Sequence, residues 1–215
     1  MLTIKKVLKI NILKTIYYNF LCKKVERSKK AFLYVYKHAK IKICKRGKLI
    51  LKKGAKLELG IYSNFDARGF TTLIIHESAS ITILDYLKMY SGSTIIAHNG
   101  STIEINGANM NNGSLIRSGL HIKIGRCCSF GARTSIFDSD FHDVIYLNNK
   151  INENKSVEIG NNVWTGINVT ILKGTNIGND CIIGACTLVS NKKIPNGTLL
   201  YNLNTAIQKS NYSWK

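Results

Sequence analysis

Residues Asp138-Ser139-Asp140-Phe141-His142-Asp143 place three carboxylates and one imidazole within six positions. A histidine near its ordinary pKa of about 6.5 suits the role of general base at neutral pH. A neighbouring carboxylate can hold one ring nitrogen while the other accepts a proton. Spacing does not choose between Asp138 and Asp140 for that orienting role; Asp140 is preferred. The competing reading is a solvated acidic loop tip with an incidental histidine. The five histidines (His38, His76, His98, His121 and His142) show no closely paired ligand spacing, which argues against a metal site. Six cysteines form no CxxC pair and read as reduced packing residues rather than a disulfide framework.

Something must hold this run of residues in place, and the following segment shows what. One kind of position recurs every six residues: Ile159, Thr165, Ile171, Ile177, Ile183 and Val189. A small residue follows most of them (Gly160, Gly166, Gly178, Gly184). Four places beyond each anchor sits Val163, Val169, Thr175, Cys181, Thr187 and then Lys193. Neither a helix of period 3.6 nor a strand of period 2 produces this beat. A parallel β-solenoid does, because each short face buries one branched side chain and each corner needs a permissive backbone. The beat is already present at Ile124-Gly125, Phe130-Gly131 and Ile136-Phe137, and Ile103 and Ile105 flank an outward Glu104 at period two. It breaks after Phe137 and resumes at Ile159, so residues 138–157 must leave the shaft as a protruding loop. The expected class is therefore mainly β.

The stretch VEIGNNVWTGINVTILKGTNIGNDCIIGACTLVSNKKIPNGTLL resembles the C-terminal coils of the hexapeptide-repeat acyltransferases. It is most similar to the galactoside, maltose and capsular polysaccharide O-acetyltransferases. The preceding DSDFH resembles the capsule and lipopolysaccharide branch, in which a histidine after such an acidic run is the catalytic base. The resemblance implies a left-handed parallel β-helix, assembly as a homotrimer, and acetyl-CoA as acyl donor. His142 falls on the catalytic base, and Trp164 on the tryptophan near the cofactor arm. Gly166, Ile167 and Ala185 fall where backbone contacts pantetheine. Ser190 and Asn191 align with a threonine–lysine step at the nucleotide end, with Lys192 and Lys193 behind it, and Lys209 matches a late phosphate-facing position. Two departures stand out: Tyr201–Ala206 replaces a Gly-Asn-Pro-Ala-like turn, and Asn191 replaces the lysine. Asn111 and Asn112 lie where they could reach an acceptor across a subunit interface, although solenoid corners also take asparagine for backbone reasons alone.

The activity this implies is O-acetylation of a sugar hydroxyl in a surface glycan or its precursor. N-acetylation of a nucleotide-linked amino sugar, or O-acetylation of serine, would use the same solenoid. The non-enzymatic alternative is a membrane-associated structural solenoid.

Charge is concentrated at one end. Of 31 Lys+Arg in the 215-residue chain, residues 1–56 hold 18, against the single acidic Glu26. Within residues 1–40, read as a basic helical segment, Ile4, Val7, Leu8, Ile12, Leu13, Ile16, Tyr17 and Phe20 fall at helical spacing. Interleaved lysines exclude a membrane-spanning run, and no apolar core with a cleavage site suggests a signal peptide. This segment either lies on an anionic membrane surface or caps the solenoid with its apolar face. No nucleic-acid motif accompanies the charge. The expected layout is a helical segment over 1–40, a β-helix over 41–205 and a tail over 206–215, in a cytoplasmic protein peripheral to the inner membrane face.

Overall fold

The computed structural model describes residues 8–62, 69–147, 149–201 and 205–208. The chain winds as a parallel β-helix with three faces per coil. The first face stacks Val25–Arg27, Lys48–Leu51, the start of Ser80–Tyr90, the start of Thr102–Met110, His121–Ile124, Val157–Ile159, Asn176–Ile177 and Lys193–Ile194. The second runs from Phe32–Val35 through Lys56–Ile61, Cys128–Phe130, Trp164–Thr165 and Ile182–Ile183 to Thr198–Tyr201. The third is a separate seven-stranded sheet from Ala39–Ile43 to Leu188–Val189. Side chains stack in register between coils. On the third face Leu73, Ile95, Ile116, Ile136, Ile171 and Val189 form one buried column.

The six-residue anchors fall on successive faces, so Ile159, Thr165 and Ile171 each occupy the middle of a different wall, all buried. Thr165 is the polar exception. Its hydroxyl accepts from the Gly131 N–H at 3.0 Å and shares a hydrogen bond with the Thr134 hydroxyl at 2.8 Å. Lys193 leaves the pattern because the last coil is one residue shorter, pairing with Asn176 and burying Ile194 instead.

The glycines after the anchors serve a purpose other than the expected corner flexibility. A Cβ on Gly166 would stand 2.6 Å from the Ala185 nitrogen, so glycine there permits close stacking of coils. The left-handed backbone lies three residues past the first five anchors, at Asn162, Asn168, Gly174, Asp180 and Cys186, and two past Val189, at Asn191. Asparagine and aspartate tolerate that conformation better than most residues. Cys186, like Cys127, is thus an exposed corner residue, whereas Cys128 and Cys181 are buried packing residues as expected.

Residues 8–40 do not form the single helical unit expected, and residues 1–7 lie outside the described residues. Helix α1 spans Ile12–Ile16 and continues as one wider π turn over Tyr17–Leu21, and the first coil already begins at Val25. Phe32–Val35 alternates buried and half-buried side chains at period two, which is strand patterning despite the surrounding lysines. No described helix is long and apolar enough to cross a membrane. At the other end, Thr205–Gln208 pairs antiparallel with Thr198–Tyr201, crossing the expected boundary at 205. The insertion is one residue shorter than expected, since Val157 is already buried in the next coil, and it holds a small hairpin of Ile145–Tyr146 with Asn149–Lys150.

α1 caps the open end of the solenoid, with its polar side inward. The Asn19 amide donates to the Leu33 carbonyl at 2.7 Å and accepts from the Leu33 N–H at 3.0 Å. The Thr15 hydroxyl does the same for Val35, accepting from its N–H at 3.1 Å and donating to its carbonyl at 3.4 Å. Two side chains at i and i+4 thereby stand in for a missing strand, satisfying an edge that would otherwise be open to pairing. Asn19→Ala would leave the Leu33 groups under the cap without partners, and is expected to destabilise the fold by about 2–3 kcal/mol in urea unfolding.

Candidate active site

The acidic run begins where the third face ends. Asp138 is fully buried and accepts hydrogen bonds from the Ser118 hydroxyl (2.6 Å), the Gly119 N–H (2.6 Å) and the Leu120 N–H (3.0 Å). It ties down the turn of the preceding coil. Asp140 is exposed and accepts from the Lys173 ammonium at 2.6 Å and the Asn152 amide at 2.8 Å. Those two bonds, the lysine's foremost, hold its carboxyl below the usual carboxylate range. Asn152 also donates to the His142 carbonyl at 2.7 Å and accepts from the Val144 N–H at 2.6 Å, so it braces the loop backbone.

Neither carboxylate therefore orients the imidazole, contrary to expectation. The His142 side chain is exposed, and no described residue hydrogen-bonds to its ring. Orphan N–H groups in the coil below claim Asp138, and a lysine from the coil above claims Asp140. Sequence proximity carries no information about either.

Phe141 sets the position of His142. Its φ of 59° lies in the left-handed region, unusual for a bulky residue and a mark of local strain. Its ring packs 4.7 Å from that of His98, and the Arg117 guanidinium lies 4.0 Å from its centroid. Arg117 Nε donates to His98 Nε2 at 2.8 Å, and His98 stacks on His76 with ring centroids 5.2 Å apart. Burial, followed by the Arg117 charge, pushes the His98 imidazole below its ordinary value, favouring the neutral ring that this acceptor role needs. Sequence reasoning missed this ladder. Its members sit one coil apart, and the early coils are too irregular for the spacing to reveal it.

At the opposite end of the third face lies an open groove of about 500 Å³, lined by Asn111, Asn112, Gly131, Ala132, Trp164, Thr165, Gly166 and Ile167. Three of the expected cofactor residues and both expected acceptor residues meet here. Trp164 and Ile167 are exposed on its wall, while Gly131 and Gly166 stack so closely that side chains could not be accommodated. Among the described residues, no hydrogen bond takes up the backbone N–H of Ala132, Ile167 or Ala185. Ala185 is exposed one coil beyond Ile167, whose carbonyl accepts from Cys186.

The remaining cofactor candidates lie elsewhere. Ser190 and Asn191 line a hollow of about 200 Å³ with Ile151, Asn152, Glu153, Lys155 and Lys173, on the loop side of the face. Lys192 and Lys193 are exposed beyond it, and Lys209 falls outside the described residues. The expected binding set is thus split between two corners of one wall.

Comparison with known proteins agrees with the architecture. Residues 156–191 match the family described as bacterial transferase hexapeptide (six repeats). A polysialic acid O-acetyltransferase of Neisseria meningitidis is 36% identical over 124 residues, covering 57% of this chain and 48% of that protein. The chain therefore spans about half the length of that relative. Among solved structures, the polysialic acid O-acetyltransferase OatWY superposes with a TM-score of 0.52 at 21% identity, covering 89% of this chain and 90% of that one. A mutant of AntD, an N-acyltransferase from Bacillus cereus in complex with dTDP-4-amino-4,6-dideoxyglucose and Coenzyme A, gives 0.50 at 12% identity over 95% and 91%. Similarity at those two identities is one of fold.

Proposed function

We infer that this chain, whose last coils are bacterial transferase hexapeptide repeats, is an acetyl-CoA-dependent O-acetyltransferase acting on a sugar hydroxyl of a surface polysaccharide or its precursor. The observation that carries this reading is the groove at Trp164, Gly166 and Ile167, which gathers the expected pantetheine positions beside Asn111 and Asn112. The relation to a polysialic acid O-acetyltransferase supports the acceptor class.

The groove and His142 lie at opposite ends of one face. From Ala132 to Asp138 is six residues, a corner at Ala132 and Arg133 followed by the strand Ser135–Phe137, spanning roughly 15 Å. One protomer's imidazole therefore works at its neighbour's groove, in a homotrimer whose corners meet. A ring nitrogen of His142 takes the proton of the acceptor hydroxyl as its oxygen attacks the thioester carbonyl. The tetrahedral oxyanion is met by a corner N–H such as that of Ala132 or Ile167, donors already fixed in place. The C–S bond then breaks, and the leaving sulfur takes the proton back from the imidazolium. Ser190, Asn191, Lys192, Lys193 and Lys209 stand for the nucleotide end, where lysine charge offsets phosphate. Dependence on acetyl-CoA places the reaction on the cytoplasmic side.

The test measures thiol release from acetyl-CoA against a panel of sugars and glycan oligomers, beside thermal melts with and without CoA. Release is expected only with an acceptor present, and CoA at about a hundred times Kd should stabilise the fold by about 2.7 kcal/mol. Ile167→Glu, a change at an exposed position, should melt like wild type yet lose the CoA shift. Absence of both release and shift in the wild-type protein would overturn the assignment.

A further inference from the structure

Among the described residues the apolar side of α1 is not buried against the core; the Arg27 guanidinium lies 4.9 Å from the Phe20 ring centroid, and the stripe stays exposed. Ile12, Leu13, Ile16, Tyr17, Phe20 and Leu21 form one stripe along about 15 Å of helix, and all are exposed, Leu13 at 82% and Leu21 at 68%. An ordinary surface helix turns such a stripe toward the core. Here the capping bonds of Thr15 and Asn19 require the reverse, because the opposite side of the helix must face the strand edge. The chain presents six large apolar side chains to its surroundings by construction.

What covers them is indicated by charge. Lys14, Lys23, Lys29, Lys30, Lys37, Lys40 and Lys42 are exposed around the same end of the solenoid. Between residues 8 and 56 the only carboxylate is Glu26, which Lys48 takes up at 2.7 Å; Glu58, on the next coil, is buried and accepts from the Tyr36 hydroxyl at 2.8 Å. An apolar stripe ringed by lysines matches a bilayer interface, with acyl chains taking the stripe and anionic headgroups the ammonium groups. A second copy of this chain would bring the same lysines face to face.

We propose that the outward side of α1, with its surrounding lysines, docks the solenoid end-on to the surface of an anionic phospholipid membrane. The groove and the loop lie along the shaft, so docking leaves them open to an acceptor. The claim is independent of the acetyl-transfer reading, and its test contains no acyl donor.

Co-sedimentation with phosphatidylcholine vesicles containing about a third phosphatidylglycerol is the direct measurement. Wild type should bind these, bind pure phosphatidylcholine far more weakly, and lose affinity as salt rises. Leu13→Gln/Leu21→Gln keeps the charge, the helix propensity and both capping residues, so its melting temperature should hold. Its vesicle affinity should fall by about tenfold or more. Lys23→Gln/Lys29→Gln/Lys30→Gln should weaken binding by about fivefold per lysine at low salt. Failure of wild type to bind the anionic vesicles, or wild-type binding by the Leu13/Leu21 variant, would overturn the proposal. So would a change of oligomeric state in that variant by sedimentation velocity, which would make the stripe a contact between protein copies.

Discussion

His142→Ala should lower kcat/KM for acetyl transfer by about 10²–10⁴-fold, the usual size of a general-base contribution. The side chain is exposed and has no hydrogen-bonding partner within the described chain. Its removal should therefore change stability by no more than about 0.5 kcal/mol. The combination is diagnostic: steady-state thiol release collapses while the thermal melt and the CoA-induced shift stay as in wild type. If base catalysis is what is lost, the deficit should shrink at high pH, where the acceptor hydroxyl depends less on a base. An unchanged rate would leave the acidic run as a solvated loop and would transfer the search for a base to the groove itself. Mixed trimers add a second readout. Protomers carrying His142→Ala and protomers carrying Ile167→Glu should partly restore activity together, because some interfaces then pair an intact imidazole with an intact groove.

Asp138→Ala should act on stability, lowering it by about 3–5 kcal/mol. The carboxylate is buried with three donors aimed at it, and truncation strands the Ser118 hydroxyl and the Gly119 and Leu120 N–H groups. Asp138→Asn keeps one acceptor oxygen and should recover part of the loss. Chemical denaturation of the three proteins measures this directly. Activity of Asp138→Asn below its melting transition should stay within about tenfold of wild type, since the residue does not touch the imidazole. A loss as large as that of His142→Ala would restore Asp138 to the catalytic machinery.

The two cases mark the limit of what residue spacing conveys. Asp138, Asp140 and His142 are neighbours in sequence, and a triad-like arrangement among them was a natural expectation. In the folded chain each carboxylate is claimed by another coil, 18 to 20 residues earlier for Asp138 and 33 later for Asp140. The insertion lets the second partner come from beyond the loop, a distance no local pattern encodes. The N-terminal helix shows the same limit. Its stripe was legible at period 3.6, but the side facing the solenoid was decided by backbone groups of Leu33 and Val35 that needed partners.

The six-residue beat from Ile159 to Val189 was sufficient by itself to specify the parallel β-helix, and its interruption located the loop. In a stack of coils each repeat touches only its neighbours, so local periodicity and global architecture are the same information. The resemblance to the hexapeptide-repeat acyltransferases, and not the beat, pointed to Trp164, Gly166 and Ile167, which the stacked coils bring to one groove. The partners of the buried carboxylate, the inward polar side of α1 and the separation of groove from imidazole were decided only by the tertiary structure. Each depends on which groups the stacking leaves unsatisfied, and unsatisfied groups exist only once the coils have closed on one another.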